Sequence, residues 1–288
     1  MRSNCGAWGW NSVYPAPAKL NLFLHVVGRR ADGYHLLQTV FRFLEHGDRL
    51  RFSPRADGSI NLTTPLPGVA AEQDLTVRAA RLLQTATACR AGVDIHIEKR
   101  LPLGGGLGGG SSDAATVLLA LNHLWQLHLP RWHLQELGLA LGADVPVFIF
   151  GHNAFAEGIG ERLQAVELPP RWYVVLEPPL HVPTAAIFGA PELKRDSPPI
   201  EPEAWRPEVG GNDLEAVACA RFPSIARHIA CLSTLAPSPA RMTGSGACVF
   251  AEFAGREEAE AALRQLPDGI RGWATAGLDR HPLLELAD

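Results

Sequence analysis

Six glycines fill the seven positions from 104 to 110, with Leu107 as the other member. The segment before them, VDIHIEK at 93–99, alternates apolar and polar residues with the period of a strand that buries one face. The segment after them, 112–125, is apolar nearly all round and contains no glycine or proline, which is typical of an enclosed helix. The glycines therefore connect a strand to a helix.

A connection of this kind is suited to hold a phosphate. Backbone N–H groups can converge on an anion where no Cβ atoms intervene, and the start of the helix adds the positive end of its dipole. We expect Ser111, Ser112 or Asp113 to cap the helix, and the two serine hydroxyls to act as further donors or as magnesium ligands. The sequence thus predicts a polyphosphate site at 104–112.

Three other interpretations of the glycines fit less well. Gly104, Gly106 and Gly109 satisfy the G-x-G-x-x-G fingerprint, but the acidic residue that a dinucleotide fold needs about twenty positions later would fall in the apolar helix. A P-loop requires a lysine before its hydroxyl residue, and here Gly110 precedes Ser111. A flexible linker would not open a tightly apolar helix.

The composition limits the class of protein. With 288 residues, of which 47% are hydrophobic, the chain can form a large buried core. A net charge of -4 without a basic run argues against a nucleic-acid partner. The five cysteines are scattered singly, which fits reduced thiols rather than a zinc site. Without a signal-peptide pattern or an apolar stretch of about 18 residues, we expect a cytoplasmic protein without a membrane partner.

Changes of pattern divide the chain into two predicted domains, residues 1–165 and 166–288. The boundary falls in a stretch rich in proline that leads into the strand WYVVL at 172–176. Residues 1–13 match neither a targeting signal nor a strand, and we expect a loose extension there.

Strands and helices are mixed in both domains, which predicts the α+β class. In the first domain, a strand at 19–27 comes early, and a helix that begins near 132 is followed by a turn and a strand-like run at 145–150. Asp144 lies at that junction. The second domain is predicted to contain an exposed loop at 195–213, a helix at 213–222, a glycine loop at 243–246, a strand at 247–253 and a helix at 256–266.

The segment PLGGGLGGGSS at 102–112 resembles the phosphate loop of the GHMP kinases, the superfamily of galactokinase, homoserine kinase, mevalonate kinase and phosphomevalonate kinase. Three more segments resemble motifs of that superfamily in the same order: PAKLNL at 17–22, GADVP at 142–146 and TGSGA at 243–247. The resemblance implies a two-domain GHMP kinase fold, with a ribosomal protein S5 domain 2-like N-terminal domain and a ferredoxin-like C-terminal domain. It also implies an ATP-dependent small-molecule kinase.

Phosphoryl transfer needs a group that aligns the acceptor hydroxyl and charges that neutralise the moving phosphate. A carboxylate in the apolar surroundings of Asp144 risks desolvation, which makes it a better proton acceptor, so Asp144 is the candidate base. By resemblance Lys19 lies beside it, where an ammonium orients the carboxylate and attracts phosphate. Other roles stay open: Asp144 positions the hydroxyl, holds magnesium or caps a turn, and Lys19 extends from a strand end.

Within the superfamily, the segments at 19–24, 30–35 and 244–250 resemble one branch in particular. Members of this branch phosphorylate the 2-hydroxyl of a cytidine diphosphate derivative of a methylated four-carbon polyol, in non-mevalonate isoprenoid precursor synthesis. The resemblance implies the same acceptor here, with ATP and Mg²⁺ as cofactors.

Resemblance to this branch also suggests which residues bind the acceptor. Tyr34 and Phe188 are expected to sandwich the cytosine ring, while His35 and Asn21 provide hydrogen bonds. Without the family match, Tyr34 and His35 form an ordinary exposed loop and Phe188 is a core residue. The remaining acceptor candidates are Thr184, Gly244 and Gly246.

On the ATP side, Lys99 stands at the end of the strand before the glycines and is a candidate contact, although a solvated lysine explains that position equally well. The other candidates form the loop itself: Pro102, Leu103, Gly104, Gly105, Gly106, Leu107, Gly108, Gly109, Gly110, Ser111 and Ser112. No set of magnesium ligands can be assigned. The expected assembly is a monomer or a homodimer.

Two other functions stay open. One is a GHMP kinase with a different acceptor, of mevalonate or homoserine type, which predicts that Tyr34, His35 and Phe188 point away from the acceptor cleft. The other is a non-catalytic nucleotide-binding module, and the presence of both Lys19 and Asp144 argues against it.

Overall fold

The computed structural model describes residues 8–65, 68, 70–207 and 210–288. Strands and helices are mixed along this chain, which confirms the α+β class. The strands are β1 (Tyr14–Arg29), β2 (His35–Arg55), β3 (Ile60–Leu62), β4 (Gly92–Glu98), β5 (Ala154–Glu157), β6 (Arg162–Ala165), β7 (Trp172–Leu176), β8 (Arg241–Met242), β9 (Val249–Phe253) and β10 (Gly272–Leu278). The helices are α1 (Leu75–Thr87), α2 (Gly109–Leu124), α3 (Arg131–Leu139), α4 (Val145–Phe150), α5 (Thr184–Phe188), α6 (Glu215–Arg221), α7 (Pro223–Ser233) and α8 (Arg256–Arg264).

The two longest strands, β1 and β2, form an antiparallel pair. Every residue of β1 from Ala16 to Leu24 is buried, including the polar Lys19 and Asn21. A strand that is covered on both faces is apolar along most of its length instead of alternating. The strand predicted at 19–27 is confirmed, and it extends further at both ends.

A continuous sheet connects the two halves of the described chain, with strands in the order β3-β4-β2-β10-β7-β9-β8. The β3–β4 pair is parallel, and the other pairs along this path are antiparallel. The last strand, β10, pairs with β2 at Gly277 and Leu278 and with β7 along 272–276. This strand therefore joins the N-terminal part of the sheet to β7, β8 and β9.

Buried apolar side chains fill the space between the sheet and the helices. A first cluster packs α1, α2 and α4 against the N-terminal strands, and the α2 residues from Val117 to Leu121 are fully buried in it. A second cluster packs α6, α7 and α8 against β7 and β9. Leu283 and Leu286, near the C-terminus, belong to the first cluster. The domain division at 165/166 stays a prediction.

The C-terminal half follows its sequence pattern closely. The predicted helices at 213–222 and 256–266 are α6 and α8, and the strands predicted around 172 and 247 are β7 and β9. The described residues of the predicted loop at 195–213 form no strand and no helix apart from one short 3-10 turn, but Trp205 is buried, so the loop is not exposed throughout. In the part of the chain that the structure describes, no helix is both long and apolar enough to cross a bilayer.

The apolar run at 145–150 is the helix α4, and the prediction of a strand there is wrong. The run has six residues and is buried on most sides, so neither a helical nor a strand period can be read from it. Pro146 stands in the first turn, where its fixed φ and missing N–H suit a helix start. The predicted junction at Asp144 is confirmed, because α4 begins directly after it.

The start of α2 also differs from the prediction. Gly108 occupies the cap position with a φ of 72°, and Ser111, Ser112 and Asp113 lie inside the helix. A glycine in this left-handed conformation lets the loop turn directly into the helix. The helix therefore begins at Gly109, earlier than a serine or aspartate cap would allow.

Of the predicted extension at 1–13, residues 1–7 lie outside the described residues. Trp8 and Trp10 pack against the first cluster, and the Trp8 ring stacks on Tyr14 with 5.1 Å between centroids. The prediction of a loose extension is wrong for residues 8–13, because the indole rings cover the edge of the core there.

Candidate active site

A cleft of about 870 Å³ lies between β1, β2, the glycine loop and two C-terminal segments, 181–189 and 244–246. Clefts between two halves of a chain are common small-molecule sites. Every predicted catalytic and acceptor residue lines this cleft: Lys19, Asn21, Tyr34, His35, Asp144, Thr184, Phe188, Gly244 and Gly246.

The glycine loop borders two cavities. The loop residues that line the main cleft are Gly104, Gly106, Gly108 and Ser111. Leu103 and Gly110, together with Lys99, line a second cavity of about 150 Å³. The predicted loop residues that line neither cavity are Pro102, Gly105, Leu107, Gly109 and Ser112.

Close backbone approaches hold the loop in place. The N–H of Lys19 donates to the carbonyl of Leu107 at 2.9 Å, which fixes the loop against β1. A Cβ atom at Gly106 would overlap the carbonyl oxygen of Thr243, so only glycine allows the loop to lie against the 243–246 turn. The motifs at 17–22, 102–112 and 243–247 therefore meet at one place.

Three backbone N–H groups at the start of α2 have no partner within the helix. The first helical bond joins the Ser112 N–H to the Gly108 carbonyl at 2.8 Å, which leaves Gly109, Gly110 and Ser111 unpaired within α2. The positive end of the helix dipole lies at the same place. These groups are suited to bind the phosphates that the glycine loop predicts.

The predicted catalytic pair is assembled in the cleft. Lys19 Nζ lies 3.3 Å from Asp144 Oδ2. The ammonium is buried, and it also donates to Asn21 Oδ1 at 2.6 Å and lies 5.4 Å from the centroid of the Phe41 ring. A buried ammonium is stable only with such partners.

Asp144 itself is not desolvated, contrary to the expectation from its apolar neighbours. Its side chain is 36% exposed, against 3% for Lys19. The neighbouring apolar residues, from Val145 to Ile149, point into the core, whereas Asp144 precedes the first turn of α4 and faces the cleft. Its carboxylate is thus open to a ligand.

Asn21 belongs to the same polar unit. Lys19 and Asn21 are two residues apart on β1, so their side chains share one face. Asn21 Nδ2 donates to Thr39 Oγ1 at 2.9 Å, and Thr39 donates to the Phe23 carbonyl at 2.5 Å. This chain of hydrogen bonds orients the Lys19 ammonium. Direct contact between Asn21 and the acceptor stays a prediction.

Lys99 lies between two buried carboxylates. Its Nζ is 2.5 Å from Asp48 Oδ2 and 2.9 Å from Asp113 Oδ2. Asp48 also accepts the N–H groups of Arg100 and Leu101, directly before the glycine loop. Burial acts to lower the pKa of Lys99, but Asp113 and Asp48 outweigh it and raise that pKa, while burial raises the pKa of Asp113. Lys99 is therefore a fixed charge beside the second cavity and not a solvated lysine.

The residues predicted to bind the cytosine ring share the main cleft. The rings of His35 and Phe188 are 5.1 Å apart, and Tyr34 lines the same cleft with 60% of its surface exposed. Burial, and then the charges of Arg195 and Arg29, lower the pKa of His35, so its ring is neutral near pH 7.

Further contacts in and beside the cleft were not predicted from the sequence. His181 packs over Gly104, where any side chain would overlap its ring. The hydroxyls of Thr184 and Ser245 form a hydrogen bond of 2.8 Å. Arg195 bonds to His35 from a proline-rich loop. Thr184 was predicted and Ser245 lies in the motif at 243–247, whereas His181 and Arg195 stand in no regular pattern, so tertiary contacts alone reveal these two.

Acidic groups are sparse in the cleft. Within the described residues, no cluster of three or more histidine, cysteine, aspartate or glutamate side chains could hold a metal ion. The carboxylates that line the cleft are those of Asp32 and Asp144, and Asp32 is paired with Arg30 at 2.7 Å. Of these two, Asp144 is the one that pairs with Lys19, and its 36% exposure leaves it open to a ligand.

Comparison with known proteins agrees with this geometry. The family model described as GHMP kinases N terminal domain matches residues 74–152, and that described as GHMP kinases C terminal matches residues 205–271. A 4-diphosphocytidyl-2-C-methyl-D-erythritol kinase of Dechloromonas aromatica is 66% identical over 96% of this chain and 100% of that protein. A protein of the same name from Thiobacillus denitrificans is 58% identical over 96% of this chain and 98% of that protein.

Solved structures give the same result. The crystal structure of a 4-(cytidine 5'-diphospho)-2C-methyl-D-erythritol kinase is 37% identical and has a TM-score of 0.81, over 92% of this chain and 99% of that chain. A mevalonate kinase of Methanococcus jannaschii is 14% identical with a TM-score of 0.67, over 95% of this chain and 99% of that chain, and it shares the fold.

These matches confirm the two-domain GHMP kinase fold and the kinase activity that the motifs imply. The chain is a small-molecule kinase that uses ATP as its phosphate donor. With 66% identity over nearly its whole length, it belongs to the 4-diphosphocytidyl-2-C-methyl-D-erythritol kinase family.

Proposed function

We propose that the protein transfers the γ-phosphoryl group of ATP to the 2-hydroxyl of 4-diphosphocytidyl-2-C-methyl-D-erythritol, a step of non-mevalonate isoprenoid precursor synthesis. The products are ADP and the 2-phosphate. The observation that carries the proposal is the Lys19–Asp144 pair, 3.3 Å apart, in a cleft that the glycine loop also lines. The names of relatives at 66% and 58% identity support the choice of acceptor.

In this cleft the transfer is a direct displacement. Asp144 accepts the proton of the 2-hydroxyl, the oxygen attacks the γ-phosphorus, and the bond from that phosphorus to the β,γ-bridging oxygen breaks. Lys19 attracts the charge that spreads over the moving phosphoryl group. In a loose transition state the proton leaves late, so alignment of the hydroxyl by Asp144 matters as much as its basicity.

The position of ATP follows from the loop between the two cavities. Its β- and γ-phosphates would meet the start of α2, where Ser111 lines the main cleft and Gly110 lines the second cavity. The adenine ring of ATP would lie toward the second cavity, which Leu103 and Lys99 border. The partly exposed Leu103 side chain offers an apolar face there, and Lys99 offers a fixed charge.

The donor groups fit a magnesium ion that arrives with ATP. Magnesium in kinase sites is held by one or two carboxylates together with phosphate oxygens and water. Asp144 would supply the carboxylate and Ser111 a hydroxyl, since both line the cleft. The ion would shield the charge of the phosphates during transfer.

The acceptor would lie on the side of the Lys19–Asp144 pair away from ATP. Tyr34 and Phe188 offer aromatic faces for the cytosine ring, and the His35 ring lies 5.1 Å from that of Phe188. That these residues line the cleft favours a pyrimidine acceptor over mevalonate or homoserine. A cytoplasmic location, assembly as a monomer or homodimer, and the absence of a nucleic-acid partner are parts of the same proposal.

The direct test is ADP formation by the purified protein with three acceptors. We expect turnover with ATP and the cytidine diphosphate derivative, and none above background with mevalonate or homoserine. Formation of the 2-phosphate is checked by phosphorus NMR of the product. If only mevalonate or homoserine is phosphorylated, the proposed acceptor is wrong and that compound takes its place. No turnover with any of the three would contradict the proposal as a whole.

A further inference from the structure

Arg195 lies outside all the motifs of the sequence, yet its guanidinium makes several hydrogen bonds beside the proposed base pocket. Its Nε donates to His35 Nε2 at 3.1 Å. Its terminal nitrogens donate to the backbone carbonyls of Phe188 at 3.1 Å, Ala190 at 2.7 Å and Leu193 at 2.9 Å. Arg195 thus connects the first residue of β2 to the end of α5.

The bond to His35 determines where the imidazole carries its proton. A guanidinium has five N–H donors and no acceptor, so His35 Nε2 must accept. A neutral imidazole that accepts at Nε2 carries its hydrogen on Nδ1. Burial and the nearby charges of Arg195 and Arg29 lower the pKa of His35, which keeps the ring neutral. Within the described residues Nδ1 makes no hydrogen bond, so its N–H is available to a ligand.

We propose that Arg195 is a positioning residue that makes the site select cytosine over uracil, by holding His35 as an Nδ1–H donor. The inference rests on the proposed function, in which His35 meets the edge of the pyrimidine. Ring nitrogen N3 of cytosine carries a lone pair, whereas N3 of uracil carries a hydrogen. A fixed donor therefore bonds to cytosine and opposes the N–H of uracil.

A mobile histidine would not discriminate in this way. Without Arg195, the ring can move its hydrogen to Nε2 and turn its Nδ1 lone pair toward the N–H of uracil. Sites that hydrogen-bond a substrate group reject analogues strongly, because a wrong partner leaves buried polar groups unpaired. Arg195 would act on base selection without touching the substrate.

The test uses Arg195→Met and compares kcat/KM for the cytidine and uridine diphosphate derivatives of the same polyol. We expect the ratio of the two values to fall at least about tenfold, mainly through a higher KM for the cytidine derivative. The KM for ATP should stay unchanged. If Arg195 only braces the end of α5, both acceptors will lose efficiency by the same factor and the inference is overturned.

Arg221→Met is the matched control. Arg221 also donates to a backbone carbonyl of α5, that of Ala186 at 2.9 Å, and it pairs with Glu192 at 2.9 Å. No hydrogen bond joins it to His35 in the described chain. This variant should leave the acceptor ratio as it is in the parent protein. The amide of Arg195→Gln can donate to His35 Nε2, so the ratio of kcat/KM values in this variant should lie between those of Arg195→Met and the parent protein.

Nitrogen NMR of the histidine rings gives a second readout that does not depend on activity. In the parent protein His35 should show a protonated Nδ1 and an unprotonated Nε2, and in Arg195→Met a mixture of tautomers. A hydrogen on Nε2 in the parent protein overturns the inference. If neither nucleotide derivative is phosphorylated, the proposed function fails and the inference falls with it. If the cytidine derivative is phosphorylated but Arg195→Met has the same ratio of kcat/KM values as the parent protein, the inference alone is overturned.

Discussion

Lys19 and Asp144 form an ion pair of 3.3 Å in which one partner is buried and the other is open to the cleft. The lysine comes from the middle of β1, where Asn21 holds it, and the aspartate precedes α4. Such a pair keeps the ammonium in a fixed position while the carboxylate stays free to meet a hydroxyl group. This division of tasks suits a kinase, whose catalysis rests on positioning and charge.

Asp144→Asn tests the proposed base. The variant keeps the size of the side chain but removes its charge, so we expect kcat to fall by about 100- to 10,000-fold. The affinity for ATP without magnesium should change little, because the free N–H groups of α2 are untouched. A coupled ADP assay and calorimetric titration of ATP measure the two quantities. Asp268→Asn, at an exposed position that does not line the cleft, is the control. Near-normal turnover in Asp144→Asn would exclude a catalytic role.

Gly106→Ala tests the close approach between the glycine loop and the 243–246 turn. Gly106 has a φ of +76°, and its added Cβ atom would overlap the Thr243 carbonyl. We expect a loss of about 1–3 kcal/mol in the free energy of unfolding and a weaker ATP complex, since the loop must move away. Urea unfolding and ATP titration measure both effects.

The control for that variant is Gly255→Ala. Gly255 has an ordinary φ of -150°, and an added Cβ atom there meets nothing within 4 Å. It should leave ATP binding unchanged and alter stability by less than about 1 kcal/mol. Equal effects at the two positions would mean that the approach at Gly106 is not what holds the loop.

Lys99→Met tests the buried ion cluster. Removal of the ammonium leaves Asp48 and Asp113 buried without a cation, and Asp113 Oδ1 already lacks a partner. We expect a loss of about 3–5 kcal/mol in the free energy of unfolding. The double variant Lys99→Met with Asp113→Asn should recover part of that loss, because one buried charge disappears with its partner.

Urea unfolding at pH 7 compares these variants with Lys194→Met, a change at an exposed lysine that should have little effect. Lys99→Met should also raise the KM for ATP, because Lys99 borders the second cavity, where the adenine ring is proposed to lie. A Lys99→Met protein as stable as the parent would contradict the role of the cluster in the fold.

His281 should make the protein sensitive to acid. Burial, and then the charge of Arg131, lower the pKa of His281 from 6.5 to about 3. Below pH 6.5 the unfolded chain binds a proton that the folded protein does not, so stability falls as the pH decreases. The expected contribution is about 1.4 kcal/mol per pH unit between pH 6 and pH 4, and none above pH 7.

His281→Asn removes the titration and keeps an acceptor near the Leu283 N–H, which His281 Nδ1 accepts at 3.1 Å. Urea unfolding at pH 7, 5.5 and 4.5 should show a shallower loss of stability in the variant than in the parent protein. Parallel curves for the two proteins would show that His281 binds its proton equally well in the folded and unfolded states.

Much of the site could be predicted because it depends on residue types at short spacing. The glycine segment at 104–110, the strand that carries Lys19 and the junction at Asp144 are all local patterns, and the structure contains each of them. Where a local pattern was too short, as in α4, or where glycine replaced the usual cap, as at Gly108, the prediction was wrong.

The sequence by itself determined the fold class, the glycine loop and the two residues of the proposed catalytic pair, because ordered motifs of fixed spacing identify them. The tertiary structure alone decided that Lys99 is enclosed by Asp48 and Asp113, and that Arg195 orients His35. The physical reason is that a charged side chain takes its role from its neighbours. Those neighbours come from distant strands and loops that only the folded chain brings within hydrogen-bond distance.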